Sequence, residues 1–391
     1  MHIPQYYEFA CPVKIISGLK ALANIPYEMD LLGAHRALIV TDPGVVSAGL
    51  IDMVEEVFQG SNCEIAAVYD QTPPDSSAKV VNEVARMYKE KNCECFLAVG
   101  GGSSMDTAKC ANMMVTEGTD DLMDYQGAER LKKKMQPFIA VPTTAGTGSE
   151  VTLAAVIYDE ERNTKMAFTS YRLLPDVAVL DPKMTKTMPP KITAATAMDA
   201  LTHAVEAYYC LGKNPVSDSF SQAAIRLVMD NLITCLEKPD DQDARLAMAN
   251  AALLAGISFS NSMVGVVHSL AHACGGVARV PHGVANAILL PWGMEYNLDK
   301  AGEIIAELAP LLDAPTGGTK MDQAKAAIQA VRDLQKKLKD LAGLPTSLGE
   351  AGVPKSKLEA IAKATINDGA VTYNPEEVTY EDALDLLKKA Y

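Results

Sequence analysis

The sequence lacks a basic stripe, a long apolar run and a paired-cysteine motif, and each absence excludes a class of protein. Its 35 Lys and Arg stand against 49 Asp and Glu, a formal charge of −14, and no basic stripe exists beyond the short run at residues 132–134. Proteins bind phosphate backbones mainly through lysine and arginine, so nucleic acid is excluded as an expected partner. No stretch approaches about 18 uninterrupted apolar residues, so neither a transmembrane helix nor a membrane partner is expected.

The N-terminus and the cysteines favour a cytoplasmic protein. Residues 1–8 have neither the basic flank nor the apolar core of a signal peptide. None of the eight cysteines belongs to a CxxC pair, and several, such as Cys95, lie within apolar runs. In a reducing compartment this pattern indicates buried thiols rather than disulfides or zinc ligands.

The chain is long enough for two domains, because 391 residues with 48% apolar and 21% charged side chains are typical of a globular protein of that size. In the first half, short apolar runs such as residues 37–41 and 96–99 alternate with amphipathic helical patterns. This alternation predicts an α/β domain with a parallel, Rossmann-like sheet covered on both faces. Beyond Pro189 and Pro190, helical periods replace the strands. We therefore expect an α/β domain at residues 1–188 and an all-helical domain at residues 189–391.

A glycine loop follows the apolar run at residues 96–99. Gly100, Gly101 and Gly102 lead directly into a helical pattern. Glycines let backbone N–H groups approach a ligand closely, and a helix N-terminus adds unpaired donors with a partial positive charge. The loop therefore suits the pyrophosphate of a dinucleotide, with Ser103 as a further donor. A tight strand-to-helix turn is the alternative, since the loop is neither GxGxxG nor a P-loop.

Two more polar segments follow strands and are expected at the same edge of the sheet. Residues 142–152 combine glycines with small hydroxyl residues that can wrap a nucleotide, and the alternative is a solvated loop with Ser149 as a helix cap. Asp42 ends the strand at residues 37–41, where its carboxylate can accept both ribose hydroxyls of NAD and would repel the 2′-phosphate of NADP. The alternative is that Asp42 only begins an Asp-Pro-Gly turn.

A group of histidines and one aspartate predicts a metal site in the second half. Asp199 and His203 are four residues apart, on one face of a helix, and His268 and His272 repeat that spacing before His282. The flanking residues are apolar, so these side chains are expected to be buried and to need partners. A divalent metal such as Fe, Zn, Co or Mn satisfies an aspartate and neutral imidazoles together. The alternative is a set of separately hydrogen-bonded core histidines.

Four motifs, taken together, resemble the iron-containing (group III) alcohol dehydrogenases. They lie at residues 100–103, 142–150, 198–207 and 281–287, in the family's order along the whole chain. The resemblance implies a dehydroquinate synthase-like architecture, with a dinucleotide-binding α/β domain and a helical, metal-binding catalytic domain. It also implies that the cofactor is NAD(H) and that the metal is Fe(II), with Zn or another divalent metal as the alternative. The protein would form a homo-oligomer, a dimer or higher.

The same resemblance implies roles for individual residues. The metal ligands would be Asp199, His203, His268 and His282, and His272 would be a catalytic residue that relays a proton beside the nicotinamide. Phe259 would line the substrate pocket. The positions that match cofactor contacts of the family are Asp42, Gly101, Gly102, Ser103, Thr143, Thr144, Thr147 and Lys165.

The chain departs from the family pattern at two positions of the substrate pocket. Lactaldehyde-reducing members carry an asparagine that contacts the second hydroxyl of the substrate, but the matching residue here is Ala154, so that diol preference is not expected. Arg279 lies three residues before His282 and is a candidate partner for an anionic aldehyde such as sulfoacetaldehyde. The alternative for Arg279 is an arginine on the surface.

These features predict an NAD(H)-linked, metal-dependent alcohol dehydrogenase or aldehyde reductase. Its expected substrates are short primary alcohols or aldehydes, and the metal would polarise the substrate oxygen during hydride transfer. The alternative function is a metal- and NAD-dependent lyase or hydrolase on the same scaffold.

Overall fold

The computed structural model describes residues 3–159 and 164–391, which divide into two compact units. One unit is Cys11–Met188, and the other joins Pro189–Tyr391 to the residues up to Ala10. The N-terminal residues thus group with the helical unit, unlike the expected domain of residues 1–188. The reason is local: the Ala10 backbone exchanges two hydrogen bonds with the Asn261 side chain, and Phe9 stacks on Phe220.

The unit Cys11–Met188 contains nine strands and five α-helices among its described residues. The strands are β1 (Lys14–Ser17), β2 (Arg36–Val40), β3 (Glu64–Tyr69), β4 (Cys95–Gly100), β5 (Gly127–Ala128), β6 (Phe138–Pro142), β7 (Ala154–Asp159), β8 (Thr164–Thr169) and β9 (Val177–Leu180). The helices are α1 (Ile25–Leu31), α2 (Pro43–Ser47), α3 (Leu50–Glu56), α4 (Ala78–Glu90) and α5 (Gly102–Glu117).

Six strands form a parallel sheet in the order β1-β9-β6-β4-β2-β3, which confirms the predicted α/β fold. Without β1, this is the doubly wound order 2-1-3-4-5, whose switch point lies between β2 and β4. Ligands bind such sheets outside the carboxyl ends of the strands at that point. A smaller sheet, β5-β8-β7, contains an antiparallel hairpin of β7 and β8.

Both faces of the large sheet are buried along its strands β2, β4, β6 and β9, where successive residues face opposite layers. In β4, Phe96 and Ala98 pack with side chains of α4 and α5, whereas Leu97 and Val99 pack with side chains of α1 and α3. A strand with two buried faces needs an unbroken apolar run, which is the pattern that marked this strand in the sequence. Replacing a buried leucine such as Leu97 with alanine would cost about 2–5 kcal/mol of stability.

The described residues of the second unit form helices and no strands. The helices are α6 (Pro190–Tyr209), α7 (Pro215–Glu237), α8 (Gln242–Ser262), α9 (Val266–Ala278), α10 (His282–Tyr296), α11 (Leu298–Ala306), α12 (Lys320–Ala342), α13 (Leu358–Thr365) and α14 (Tyr380–Lys389). Helix α6 packs against α7, α8 and α10, and it is buried along almost its whole length. A helix surrounded by others must be apolar on all sides, so a polar residue within it requires a partner.

The cysteines and the helix lengths bear on two expectations, that the thiols are buried and unpaired and that no helix spans a membrane. All eight cysteines are free; seven are buried and Cys11 is partly buried. Among the described residues, no single helix is long and apolar enough to cross a membrane, and only α8 and α9 pass such a test as a pair, bent by 105°.

Candidate metal centre and cofactor loops

Four side chains from three helices of the second unit converge on one point. Asp199 and His203 come from α6, His268 from α9, and His282 is the first residue of α10. Each offers one ligand atom, and the four atoms all lie within 4.8 Å of one another. One carboxylate with three imidazoles is a donor set that suits a first-row divalent cation, so these residues fit the metal that the sequence predicts.

A glycine allows α10 to approach α6 closely enough to complete this cluster. A Cβ atom built on Gly283 would lie 2.5 Å from the backbone oxygen of Ala195, a distance that real Cβ atoms do not show. The hydrogen of glycine is therefore required next to His282. This explains why the histidine and the glycine are adjacent in the sequence.

His268 is the most tightly held of the four residues. It is 2% exposed, and its Nδ1 lies 2.5 Å from Oε2 of Glu206, a fully buried carboxylate of α6. Burial lowers the pKa of His268 well below its ordinary value, and the three neighbouring histidines lower it further. Burial likewise raises the pKa of Glu206 to about 7, against backbone N–H bonds that lower it. A metal binds the neutral form of an imidazole, so the lowered pKa of His268 suits it to be a ligand.

Asn286, one helical turn after His282 in α10, lies within hydrogen-bond distance of three residues of the cluster. Its Nδ2 lies 2.6 Å from Oδ1 of Asp199, and 3.2 Å and 3.1 Å from Nε2 of His268 and His282. The amide therefore orients the carboxylate and faces the nitrogens that would ligate the ion.

His272 lies beside the cluster, on the same helix as His268. Its ring stacks on that of His282, with 5.2 Å between the centroids. Its Nδ1 lies 2.8 Å from Oδ2 of Asp368, and 41% of its side chain is exposed. Burial by itself would raise the pKa of Asp368, but the bonds to His272 and to the Ala370 N–H outweigh it and lower that pKa. His272 is thus an oriented and accessible imidazole.

The two predicted pocket residues of this unit differ in placement. Phe259 of α8 stacks on the ring of His203, with 4.2 Å between the centroids, so it lies against one of the predicted metal ligands. Arg279 is exposed at the C-terminal cap of α9, with φ at 59°.

In the α/β unit, the glycine loop lies against the segment of residues 142–152, the threonine loop. A Cβ built on Gly101 would lie 3.3 Å from Oγ1 of Thr144, and one built on Gly102 would lie 3.1 Å from Cγ2 of Thr147. The Thr143 N–H donates to the Gly100 oxygen at 3.0 Å, which continues the pairing of β6 with β4. The structure thus brings together the two segments that the sequence places at one sheet edge.

The helix after the glycine loop has no side-chain cap. Helix α5 begins at Gly102, its N-cap is Gly101, and Ser103 lies within the first turn. Since the cap residue has no side chain, the N-terminal donors of the helix are not claimed by one, and this favours an anionic ligand.

The two carboxylate oxygens of Asp42 face different parts of the chain. Oδ1 accepts from the N–H groups of Gly44 and Val45 at 2.8 Å and 3.0 Å and caps α2, as its turn interpretation predicts. Oδ2 lies 3.5 Å from the Cβ position of Gly100. The carboxylate therefore faces the glycine loop across the switch point, and the two interpretations of Asp42 are compatible.

Lys165 and Ala154 both lie on the smaller sheet. Lys165 is in β8, and its Nζ is paired with Oδ1 of Asp75 at 2.7 Å. Ala154 begins β7, and its carbonyl accepts a hydrogen bond from Nζ of Lys109 at 2.9 Å.

Lys109 belongs to a buried hydrogen-bond network that the sequence did not predict. Lys109 of α5 is 1% exposed, and its Nζ also donates to Ser149 and Thr152. Ser149 in turn donates to Asp106, so it is a network member and not the helix cap that the alternative interpretation assigned; that cap is Gly148. Burial lowers the pKa of Lys109 to about 8, although Asp106 raises it. The network fastens the threonine loop to the helix that carries the glycine loop.

Three further polar residues at the metal cluster were not singled out from the sequence. Glu206 lies seven residues after Asp199 and Asn286 four after His282, so helical spacing could have placed each beside a ligand. Asp368 is 96 residues from His272, and no local pattern connects them.

Comparisons with known proteins agree with this geometry. The family model described as iron-containing alcohol dehydrogenase matches residues 12–182, and that of the C-terminal domain of the same family matches residues 193–391. The NAD-dependent methanol dehydrogenase of Bacillus methanolicus is 35% identical over 98% of this chain and 99% of its own.

Solved structures show the same relationship. A 1,3-propanediol oxidoreductase superposes with a TM-score of 0.94 at 35% identity, covering 99% of this chain and 100% of its own. The sulfoacetaldehyde reductase of Bifidobacterium kashiwanohense, solved with NAD⁺, superposes with a TM-score of 0.86 at 28% identity, covering 99% of each chain. The chain therefore belongs to the iron-containing alcohol dehydrogenase family, whose enzymes are oxidoreductases that use NAD(H) and iron.

Proposed function

We propose that this protein interconverts short primary alcohols and their aldehydes with NAD(H), and that its metal is held by Asp199, His203, His268 and His282. The observation that carries the proposal is the convergence of these four side chains to within 4.8 Å. A bound divalent metal supplies Lewis-acid polarisation of the substrate oxygen.

The helical unit supplies the groups that would act on the substrate. Asp199 contributes the single negative charge of the ligand set, and Asn286 holds its carboxylate by a bond of 2.6 Å. His272 can take up or release the proton of the hydroxyl group, because Asp368 holds its Nδ1 and its ring is partly exposed. Phe259, stacked on His203, would form an apolar wall for a short carbon chain.

The α/β unit supplies the residues that would bind NAD(H). The glycine loop and the N-terminus of α5 suit the pyrophosphate, and the threonine loop packed against them would contact it from the side. Asp42, at the switch point, would accept the ribose hydroxyls of NAD and repel the additional phosphate of NADP. Lys165, paired with Asp75, would contact the cofactor from the smaller sheet.

The substrate is proposed from two features. Three relatives are named for methanol, 1,3-propanediol and sulfoacetaldehyde, which are small molecules, whereas another is named for long-chain alcohols. Ala154 has no polar group for a second hydroxyl, and Arg279 lies in the segment that precedes His282, where an anionic aldehyde such as sulfoacetaldehyde would find a cation. Anionic short aldehydes are therefore included with neutral ones.

Two properties of the whole protein complete the proposal. We expect a cytoplasmic homo-oligomer, a dimer or higher. Sedimentation velocity of the purified protein measures the oligomer, and fractionation of producing cells measures the location.

The function is tested by reconstituting the protein anaerobically with Fe(II) and supplying NADH with a panel of neutral and anionic short aldehydes. We expect metal-dependent loss of NADH absorbance with at least one aldehyde, and formation of the matching alcohol. Consumption of a substrate without net change in NADH would instead favour a lyase or hydrolase. NADH binding with no turnover of any substrate by the metal-loaded protein would contradict the proposal.

A further inference from the structure

Glu206 is a fully buried carboxylate whose two oxygens both face the start of α9. Oε1 accepts from the Val267 N–H at 2.8 Å and from the Tyr209 hydroxyl at 3.3 Å. Oε2 accepts from the His268 N–H at 3.1 Å and lies 2.5 Å from Nδ1 of the same residue. One side chain of α6 therefore fixes both the backbone and the ring of His268.

The local chain is shaped to allow this approach. A Cβ built on Gly265 would lie 3.1 Å from Oε1 of Glu206 and 2.7 Å from Oδ1 of Asn374. Glycine at the N-cap of α9 thus leaves room for a carboxylate to accept the first N–H groups of the helix. A negative charge at a helix N-terminus is also favourable to the helix itself.

The bond to the imidazole also determines which nitrogen of His268 carries the proton, an effect that is separate from helix capping. A neutral imidazole carries one N–H and one acceptor nitrogen, and the hydrogen bond at one nitrogen decides which is which. Both oxygens of Glu206 already accept backbone N–H bonds, which favours the ionised carboxylate, and an ionised carboxylate can only accept; its bond to Nδ1 therefore places the proton of His268 on that nitrogen. The lone pair is then on Nε2, the nitrogen that faces Asn286 and the ligand cluster.

The position of Glu206 joins two parts of the site. Asp199, His203 and Glu206 lie at intervals of four and three residues, so α6 presents two predicted ligands and this carboxylate on one face. Glu206 thereby positions the third ligand, which comes from a different helix, against the first two.

We propose that Glu206 is a positioning residue that fixes the orientation and tautomer of His268 for metal binding. The inference rests on the proposed metal site, and it assigns to Glu206 a function that a helix cap alone would not have. Partners of this kind typically change metal affinity by about 10–100-fold when they are removed.

The test compares Glu206→Gln with the wild type in cobalt binding. The metal is stripped, and Co(II) affinity is measured by competition with a chelator, together with the visible spectrum of the bound ion. Glutamine keeps the shape of the side chain but has a single accepting oxygen, so it cannot accept from both the Val267 N–H and Nδ1 of His268. We expect about 10–100-fold weaker Co(II) binding and an altered spectrum, while the affinity for NADH stays within twofold of the wild type.

Asp218→Asn is the matched control, because Asp218 is another buried carboxylate of the helical unit and is paired with Lys213 at 2.5 Å. This variant is expected to lose stability without losing Co(II) affinity. Equal affinity in wild type and Glu206→Gln, or an equal loss in Asp218→Asn, would overturn the inference. A wild type that binds no cobalt would overturn the metal site and the inference with it.

A measurement on the wild type keeps the inference testable if Glu206→Gln does not fold. Nitrogen-15 NMR of the metal-free protein distinguishes the two imidazole tautomers, with the His268 signal assigned by its loss in His268→Gln. We expect the proton of His268 on Nδ1. A proton on Nε2 would contradict the assignment.

Discussion

Asp368 holds His272 through a contact of 2.8 Å between Oδ2 and Nδ1, although 96 residues separate them in the chain. The other oxygen of Asp368 accepts from the Ala370 N–H at 2.9 Å and from the Ser269 hydroxyl at 3.4 Å. The carboxylate is therefore fixed on both sides, and it leaves Nε2 of His272 as the nitrogen available for proton transfer.

Asp368→Asn should lower kcat by about tenfold or more, because an amide at this position no longer fixes the proton on Nδ1. The KM for NADH should change little. Ser269→Ala is the control, since it removes only the weaker contact and should keep most of the activity. A kcat of Asp368→Asn within twofold of the wild type would contradict the positioning of His272.

Asp199→Ala should abolish metal retention, because it removes the only carboxylate of the four-residue cluster and leaves three imidazoles. Elemental analysis should show metal near background, with turnover reduced by at least about 100-fold. His35→Ala, which changes a half-exposed histidine of the other unit, should keep both metal and activity. Near-normal turnover in a metal-stripped Asp199→Ala/His268→Ala double variant would show that the ligand assignment is wrong.

Gly102→Ala should weaken NADH binding. The new methyl group would lie 3.1 Å from Cγ2 of Thr147, so the threonine loop must shift away from the glycine loop. We expect the KM for NADH to rise about tenfold, equivalent to about 1.4 kcal/mol, with a smaller effect on kcat. Gly317→Ala is the control, because its Cβ would meet no atom within 4 Å. Unchanged NADH affinity in Gly102→Ala would exclude the loop as a cofactor site.

Asp42→Asn distinguishes the helix cap that Asp42 provides from its proposed contact with the ribose of NAD. Asparagine caps a helix about as well as aspartate, so the turn at α2 should survive. It lacks the charge that repels a 2′-phosphate, and the preference for NADH over NADPH should fall by about tenfold or more. The measurement is the ratio of kcat/KM for the two cofactors, with the melting temperature as the check on folding. An unchanged ratio would leave Asp42 as a helix cap only.

Arg279→Gly should reduce kcat/KM for sulfoacetaldehyde about tenfold more than for propanal, if the guanidinium pairs with the anion. Glycine accepts the φ of 59° at this position, so the cap of α9 is retained. Arg279→Lys keeps the charge and should preserve most of the difference between the substrates. Equal losses on both aldehydes would identify Arg279 as a surface residue.

The sequence predicted the parts of the fold that depend on local pattern. Buried parallel strands require unbroken apolar runs, and β2, β4 and β6 have them. The edge strand β1 was missed, because four residues with mostly exposed side chains give no such signal. Its pairing with β9, some 160 residues later, is a long-range contact that the local sequence does not predict.

In the candidate site too, local spacing predicted some residues, whereas others are brought together only by the fold. Helical spacing placed Asp199 beside His203, and the family resemblance added His268 and His282 as predicted ligands. The contacts of Lys109 could not be predicted, because a buried lysine within an apolar helix resembles one that extends to solvent. Its partners come from a loop and strand more than 40 residues away, where only the folded chain brings them into reach.

The proposed ligands come from three different helices, α6, α9 and α10, so a bound ion would add to the stability of the protein. A cation held there would act as a cross-link inside the second unit and would raise the free energy of its unfolding by the free energy of binding. Iron supply would then govern the lifetime of the enzyme as well as its rate, since metal-starved chains would lose their helical half to heat or proteases first.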